Sequence, residues 1–445
     1  MTAIAARAPI SMRTAQVRRV AQWPAAPVLI FLIGLVVPWS VELGSFGITL
    51  PRLVLLVVTV PCLLKWARGE AGQRNLVDFL LLALCAWICL SLAVVEGWTS
   101  GLESGGMVAV ETAGSYFLAR CYVRTADDFL AVVRVLFFCV IALLPLAIVE
   151  ALTGTNLPMD FFGSILPTVA VSYDGLRWGL KRVQSVYEHP ILFGVCTGST
   201  LALVYLVLGD THSIWRRGLG TVLVAATAFL SISSGALAMM AFQVALIGWA
   251  KTTSRIPHNW MLLGGIFAAT FLAIELGSTQ SVPQFYIARF SLDRETAWLR
   301  LLIWEFGSAS VLAHPLFGIG FGQWVRPVWM SDSIDMFWMT VAIRHGIPGG
   351  FLMMSLPAVT LAITTSAHQP DRRVALYRVA YLIVIASFFL VGWTVHFWGA
   401  AYLLFLFLLG AGGWLASVTS VPVVEHIRLR GGAAIAHLVR AEKLS

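Results

Sequence analysis

Residues 76–96 read LVDFLLLALCAWICLSLAVVE, with no charge between Asp78 and Glu96. That stretch is close to the ~20 apolar residues needed to cross the hydrocarbon core of a bilayer. Runs of the same kind recur from residue 27 to residue 416. Of the 445 residues, 59% are hydrophobic and 12% are charged, and the mean hydropathy is +0.84. Soluble domains hold roughly 45–50% apolar residues, so a water-soluble core does not account for the excess. The chain reads as all-α: a polytopic integral membrane helical bundle.

About twelve spans can be drawn at this length scale. They cover 27–43, 50–66, 76–96, 105–119, 127–152, 189–209, 218–232, 235–250, 259–276, 335–366 with a break, 374–391 and 397–416. Lysine and arginine then fall on alternate connections, as the retention of positive loops in the cytoplasm requires. One side carries Lys65, Arg68 and Arg74, then Arg120 and Arg124, Arg216 and Arg217, Lys251 and Arg255, and Arg372, Arg373 and Arg378. The basic N-terminal tail, 1–24, and C-terminal tail, 417–445, fall on that same side and flank a membrane domain at 25–416. Both termini are expected in the cytoplasm. The net charge of +8 belongs to these connections and gives no reason to expect nucleic acid. Cys62, Cys85, Cys89, Cys121, Cys139 and Cys196 all lie in or beside apolar runs, as buried thiols do.

Two connections on the opposite side are long, about 153–188 and 277–334, and both are rich in aromatic residues suited to the headgroup region. They hold Arg177, Lys181, Arg182, Arg289, Arg294, Arg300 and Arg326, cations placed against the sorting bias. Guanidinium forks match phosphate, so anion binding is one reading of them; local pairing with Asp174, Glu188, Asp293 and Glu295 is the other. Residues 313–325, AHPLFGIGFGQWV, set Gly318, Gly320 and Gly322 in alternation, a spacing that lets a ligand approach the backbone. In SDSIDMFWMTVAIRHGIPGGF (331–351), Asp332 or Asp335 is placed to cap a helix, and that helix is expected to break at Gly346–Gly349, just after Arg344 and His345. Glu111, inside the fourth expected span, is costly there unless it serves a function or pairs with a neighbouring helix.

Four pieces occur in a fixed order: RWGLKRVQSVYEHPILFG (177–194), SISSGALAM (231–239), HPLFGIGFG (314–322), and Asp335-Met336 followed after nine residues by Gly-Ile-Pro-Gly. In these the chain resembles the O-antigen ligase/polymerase superfamily of bacterial cell-surface polysaccharide assembly, over roughly residues 25–415. The resemblance implies a membrane glycosyltransferase without metal or other cofactor, in the bacterial inner membrane. Its donor would be an undecaprenyl-pyrophosphate-linked glycan, joined to a glycan acceptor at the periplasmic face. Membrane lipid, a flippase and chain-length or export proteins would be its partners. Arg177, Lys181 and Arg182, with Arg289, Arg300 and Arg326, are the expected pyrophosphate ligands. Asp335 stands where many ligases have the first residue of a histidine–asparagine pair, and it is the first candidate for the base. Glu188 and His345 are reserves; His189 and His314 each precede proline, where a turn role is the simpler one. Ser234 replaces an arginine that many members carry in the SISSGA turn. A polymerase and a ligase to lipid A core differ only in acceptor, and the aspartate favours the polymerase. A metal-assisted variant would use Asp293 and Glu295 or Asp332 and Asp335. The rival from another class is a secondary transporter, which the single broken helix permits but which should show a second, matching break.

Overall fold

Apolar segments whose backbone must satisfy itself in lipid become helices, and the described residues form 17 α-helices, one 3-10 turn and one β-hairpin. A computed structural model describes residues 23–43, 46–172, 176–177, 179–256, 258–289, 294–367 and 371–417. Most of both tails, with Asp174 and Asp293, lies outside the described residues. The first helices are α1 (Ala26–Gly34), α2 (Leu50–Ala67), α3 (Leu76–Val95), α4 (Trp98–Tyr122), α5 (Ala126–Thr153) and α6 (Leu157–Gly163). Next come α7 (Pro190–Gly198), α8 (Leu201–Leu206), α9 (Ile214–Phe229), α10 (Ser234–Thr252), α11 (Asn259–Gly277), α12 (Val282–Arg289) and α13 (Arg294–Ala313). The chain closes with α14 (Phe337–Ser366), α15 (Arg372–Val391), α16 (Gly399–Ala411) and α17 (Gly413–Ser417).

Among the described residues, nine segments are long and apolar enough to cross a membrane: α2, α3, α5, Pro190–Asp210, α10, α11, α14, α15 and Gly399–Ala416. This is a multi-pass membrane protein. The helix α11 buries none of its residues, and Leu276 near its end is 85% exposed; such a surface is at home only in lipid. Helices also occupy the other three expected positions. However, α1 has 9 residues and α9 has 16, while α4 carries Glu103, Glu111 and Arg120.

The expected first span, 27–43, is corrected by the structure. Helix α1 stops at Gly34, and Ser40–Leu43 (β1) pairs antiparallel with Phe46–Thr49 (β2), Val41 opposite Ile48. The bundle is therefore not strictly all-α. Val, Phe, Ile and Thr, set at alternating positions beyond Pro38, favour a strand over a helix. The hairpin is tied down where Ser40 N donates to Pro167 O at 2.9 Å and Trp39 Nε1 to Phe162 O at 3.1 Å.

The connections rich in cations meet at one end of the bundle. Asp78, 0% exposed, accepts from Tyr116 Oη at 2.6 Å, Trp66 Nε1 at 3.0 Å and Arg120 Nε at 3.2 Å. It also closes a capping box with Asn75 at the start of α3, which satisfies the free amides there. Arg120 donates onward to Ala71 O and Gln73 O, Arg124 to Glu70 O at 2.6 Å, and Arg373 to Asp127 at 2.7 Å. Three of the cation-rich connections, those before α3, α5 and α15, are thus bonded to one another. All six cysteines are free.

At the other end, α14 breaks as expected. Gly346 takes φ 73°, ψ −179° inside the helix, which frees backbone groups that must be paired elsewhere. The glycine loop supplies the partners: Ile319 N donates to Ile343 O at 2.9 Å, Gly320 N to Arg344 O at 3.0 Å, and Ile347 N donates to Pro315 O at 2.8 Å. Trp87 Nε1 reaches His345 O at 2.8 Å. Gly318 and Gly346 lack the Cβ atoms that would collide with Arg344 O and Leu316 O. Gly318 therefore allows the backbone to approach the broken helix, and Gly320 allows it to approach Glu96 of α3's C-terminal end.

Candidate anion site

The loop between α6 and α7 is built around a residue the motif pattern passed over. Glu150, buried near the end of α5, accepts from Gln184 N at 3.1 Å and Ser185 N at 3.0 Å. Gln184 in turn accepts from Ser172 N at 2.7 Å, and Asn156 Nδ2 donates to Ser185 O at 2.9 Å. Ser185 has φ 52°, a left-handed conformation that is costly for a residue with a Cβ and that these bonds hold in place. The signal for Glu150 was its lone charge near the end of an apolar run.

That clamp fixes the arginines preceding it. Arg182, 8% exposed, donates Nε to Ser231 O at 3.4 Å, and Val183 N donates to Leu230 O at 3.1 Å. Arg177, half-buried, donates Nη1 to Ile232 O at 3.4 Å and Nη2 to Thr296 Oγ1 at 3.3 Å. Both arginines thus grip the 231–233 turn, whose Ile232 has φ 44°, directly before α10. Thr296 belongs to α13, one turn ahead of Arg300, which is 3% exposed.

Charge gathers here. Burial lowers the Arg300 guanidinium from its ordinary pKa, Asp335 and Tyr286 work against that, and Arg177 adds to it by repulsion. A guanidinium stays protonated through such shifts, so two like charges are held near each other in a partly dry site. Burial pushes the Tyr286 phenol up to about 12, against the pull of Thr394 and Arg300. Burial and Arg344 bring His396 down to about 4, with Asp335 opposing. Arg177 and Arg182 thus share one turn, Arg300 lies within electrostatic reach of Arg177, Tyr286 and Asp335, and His396 of the 392–398 segment lies within reach of Asp335, so the group draws on both long connections. A site of this kind can hold an anion with several oxygens and present one carboxylate beside it.

Asp335 is not a helix cap, contrary to expectation. The residue in the N-cap position of α14 is Met336, without a side-chain cap; Phe337 N instead donates to Gly392 O at 2.9 Å and Val395 O at 3.1 Å. Ser333 Oγ donates to Asp335 Oδ1 at 2.7 Å.

The other expected ligands have local contacts of their own. Lys181 acts on Glu150. Arg289 is exposed and lies over the Phe285 ring at 3.8 Å. Arg326 organises its own turn, with Nε donating to Met330 O at 3.1 Å and Nη1 to Gln323 Oε1 at 2.8 Å. His345 of α14 is buried against α3, with Nδ1 2.9 Å from Ser91 Oγ. His189 caps α7, its Nδ1 accepting from Ile191 N at 3.1 Å, and His314 is exposed. Glu188 belongs to a different cavity, with Arg52 and Glu111. His396, Tyr286, Thr394 and Thr296 were not singled out in the sequence. A histidine in the short segment between the last two spans was the one available sign. No protein-family model matches the chain, and no curated protein matches it.

Proposed function

We propose that this protein is a glycan polymerase of the bacterial inner membrane, joining undecaprenyl-pyrophosphate-linked oligosaccharide repeats at the periplasmic face. The observation that supports this reading is that Arg177 bonds both the turn that Arg182 holds and Thr296 of α13, one turn ahead of Arg300, which lies within electrostatic reach of Arg177 and Asp335. Cleaving a sugar from a polyprenyl pyrophosphate leaves growing negative charge on the leaving phosphate, and preorganised guanidinium groups lower the energy of that state. The acceptor hydroxyl must lose a proton, which Asp335 takes as general base. The step needs no nucleotide, because the pyrophosphate linkage is already activated.

In this reading α4 and α9 also cross the membrane, while α1, with 9 residues, is too short to span it by itself. The layer of Asp78, Arg120, Arg124 and Arg373 then faces the cytoplasm, and the anion site faces the periplasm. An O-antigen ligase would use the same donor site with a lipid A core as acceptor. The broken α14 is the feature that favours a transporter, but its freed carbonyls are bonded to the glycine loop and Trp87 rather than left open to a substrate.

The test is reconstitution of the full chain in liposomes with a carrier-linked repeat unit. Polymer should form, and the carrier should be released as pyrophosphate, with and without a chelator. Absence of transfer from every carrier-linked donor, with the protein folded and correctly oriented, would contradict the proposal.

A further inference from the structure

A second polar cavity, of about 300 Å³, lies between α1, the hairpin, α2, α4 and the start of α16. It sits at the lower end of the roughly 300–1,000 Å³ range of small-molecule pockets, which is enough for one compact ligand. Its charged lining comes from three separate elements. Arg52 of α2 forms an ion pair with Glu111 of α4, so the acid expected inside the fourth span is neutralised by a neighbouring helix. Arg52 also donates to Gly47 O in β2, which fixes the guanidinium against the hairpin. Glu188 enters from the loop before α7.

Glu188 is the unusual member. Its carboxylate lies against the backbone of Gly399, where any Cβ would overlap it, and Gly399 has φ +49°. This close approach lets the amide of Ala400, at the first turn of α16, hydrogen-bond the carboxylate. The other oxygen, Oε2, is buried from solvent and cavity alike in this conformation and has no hydrogen-bond partner among the described residues, so it is Oε1 and the rest of the side chain that line the cavity. A buried polar atom in that condition costs about 1–3 kcal/mol unless something pairs with it. Burial raises the Glu188 carboxyl above the ordinary carboxylate range, Glu111 adds to that, and Arg52 and the backbone amides of Glu188 and Ala400 oppose it.

The charge inventory selects the occupant. Arg52 is already matched by Glu111, so the cavity has no surplus positive charge for an anion, and the anion site lies elsewhere. Glu188 and Glu111 do not form a metal-ion cage either, because Arg52 pairs with Glu111 and no group of three His, Cys, Asp or Glu side chains able to hold a metal ion occurs among the described residues. What remains is a set of fixed donors and acceptors around the polar space, with the indoles of Trp39 and Trp398 in the wall. Hydroxyls, which both donate and accept, pair with such a set, while an aromatic wall receives the apolar face of a ring. The Trp398 ring is also 5.5 Å from that of His396, which lies within electrostatic reach of Asp335.

We propose that this cavity binds a single neutral sugar ring, held by Glu188 and the Arg52–Glu111 pair and packed against Trp39 and Trp398. The inference rests on the glycan reading for its biological sense.

The experiment is saturation-transfer NMR on the full chain, in a detergent without a sugar headgroup. The probes are the methyl glycosides of glucose, galactose, mannose and N-acetylglucosamine, with inorganic pyrophosphate in parallel. At least one glycoside should receive saturation, and Glu188→Ala should weaken its binding by about tenfold or more. Val169→Trp, which fills the cavity from the loop side without touching the charged groups, should abolish it, so a folding defect in the first variant leaves the inference testable. Arg177→Ala should lose pyrophosphate and keep the glycoside. Absence of glycoside binding by the folded wild-type protein, or equal binding by both cavity variants, overturns the subsite while leaving the pyrophosphate result to decide the enzyme. Binding of glycerophosphoethanolamine in place of every glycoside would make the cavity a lipid-headgroup site and also overturn it.

Discussion

Ser333 donates its hydroxyl to Asp335 Oδ1 at 2.7 Å, and the helix beginning two residues beyond that aspartate is capped by neither side chain. Asp335 is thus held in one orientation beside Arg300 by a residue outside the helix, as a proton acceptor in a preorganised site needs to be.

Because no capping bond depends on it, Asp335→Asn should change stability by no more than about 0.5 kcal/mol. The amide cannot take up a proton, so glycan transfer should fall by about two orders of magnitude or more. Melting in detergent and polymer yield from the same preparation measure the two quantities. Near-normal polymer would remove Asp335 from the chemistry.

Gly346→Ala should be destabilising for a reason specific to the break. The residue has φ 73° and its Cβ would meet the Leu316 carbonyl, and the left-handed conformation alone costs about 1–3 kcal/mol for a residue with a side chain. A control is Gly264→Ala on the lipid-facing α11, where a Cβ meets nothing; it should be neutral or slightly stabilising. Equal melting temperatures for the two variants would show that the glycine loop does not lock the broken helix.

The pH dependence of stability has a defined sign. His396 titrates at about 4 in the folded protein and near ~6.5 in the unfolded chain. Between those values the unfolded state binds the additional proton, so stability that is complete above about pH 6.5 is lost as the pH falls toward 4. Glu188, raised by burial, contributes in the opposite sense and gains on acidification. The informative quantity is therefore the difference between wild type and His396→Gln, whose melting curves should converge as the pH drops from about 7 to about 4.5. Parallel curves would mean that His396 is not held neutral.

Much of the fold was legible because lipid leaves the backbone few options. Nine expected spans appear as helices with ends close to the expected ones, and the break at Gly346 was visible in Gly-Ile-Pro-Gly. The hairpin at 40–49 was not, because Val41, Leu43, Phe46 and Ile48 are as apolar as a span and only their alternation tells them apart. Arg177, Arg182 and Arg300 could be nominated from their placement against the charge bias. The separate contacts of Arg289 with the Phe285 ring and of Arg326 with Met330 O and Gln323 could not, since they depend on what each guanidinium reaches in the folded chain. Glu188 was read as a reserve base from its neighbours in sequence; its partners in space, Gly399 and Arg52, are more than 130 residues away in either direction.

The central claim is that Arg177, Arg182 and Arg300 form one pyrophosphate site, and binding of labelled inorganic pyrophosphate to the purified protein tests it most directly. Arg177 is the member to vary, because it is half-buried and its loss leaves the buried pair in place. Wild type should bind in a salt-dependent manner, and Arg177→Ala should bind at least about tenfold more weakly with an unchanged melting temperature. Arg177→Lys should recover little, since an ammonium lacks the planar fork. Pyrophosphate binding of equal strength in wild type and Arg177→Ala, or none in the folded wild type, would contradict the account.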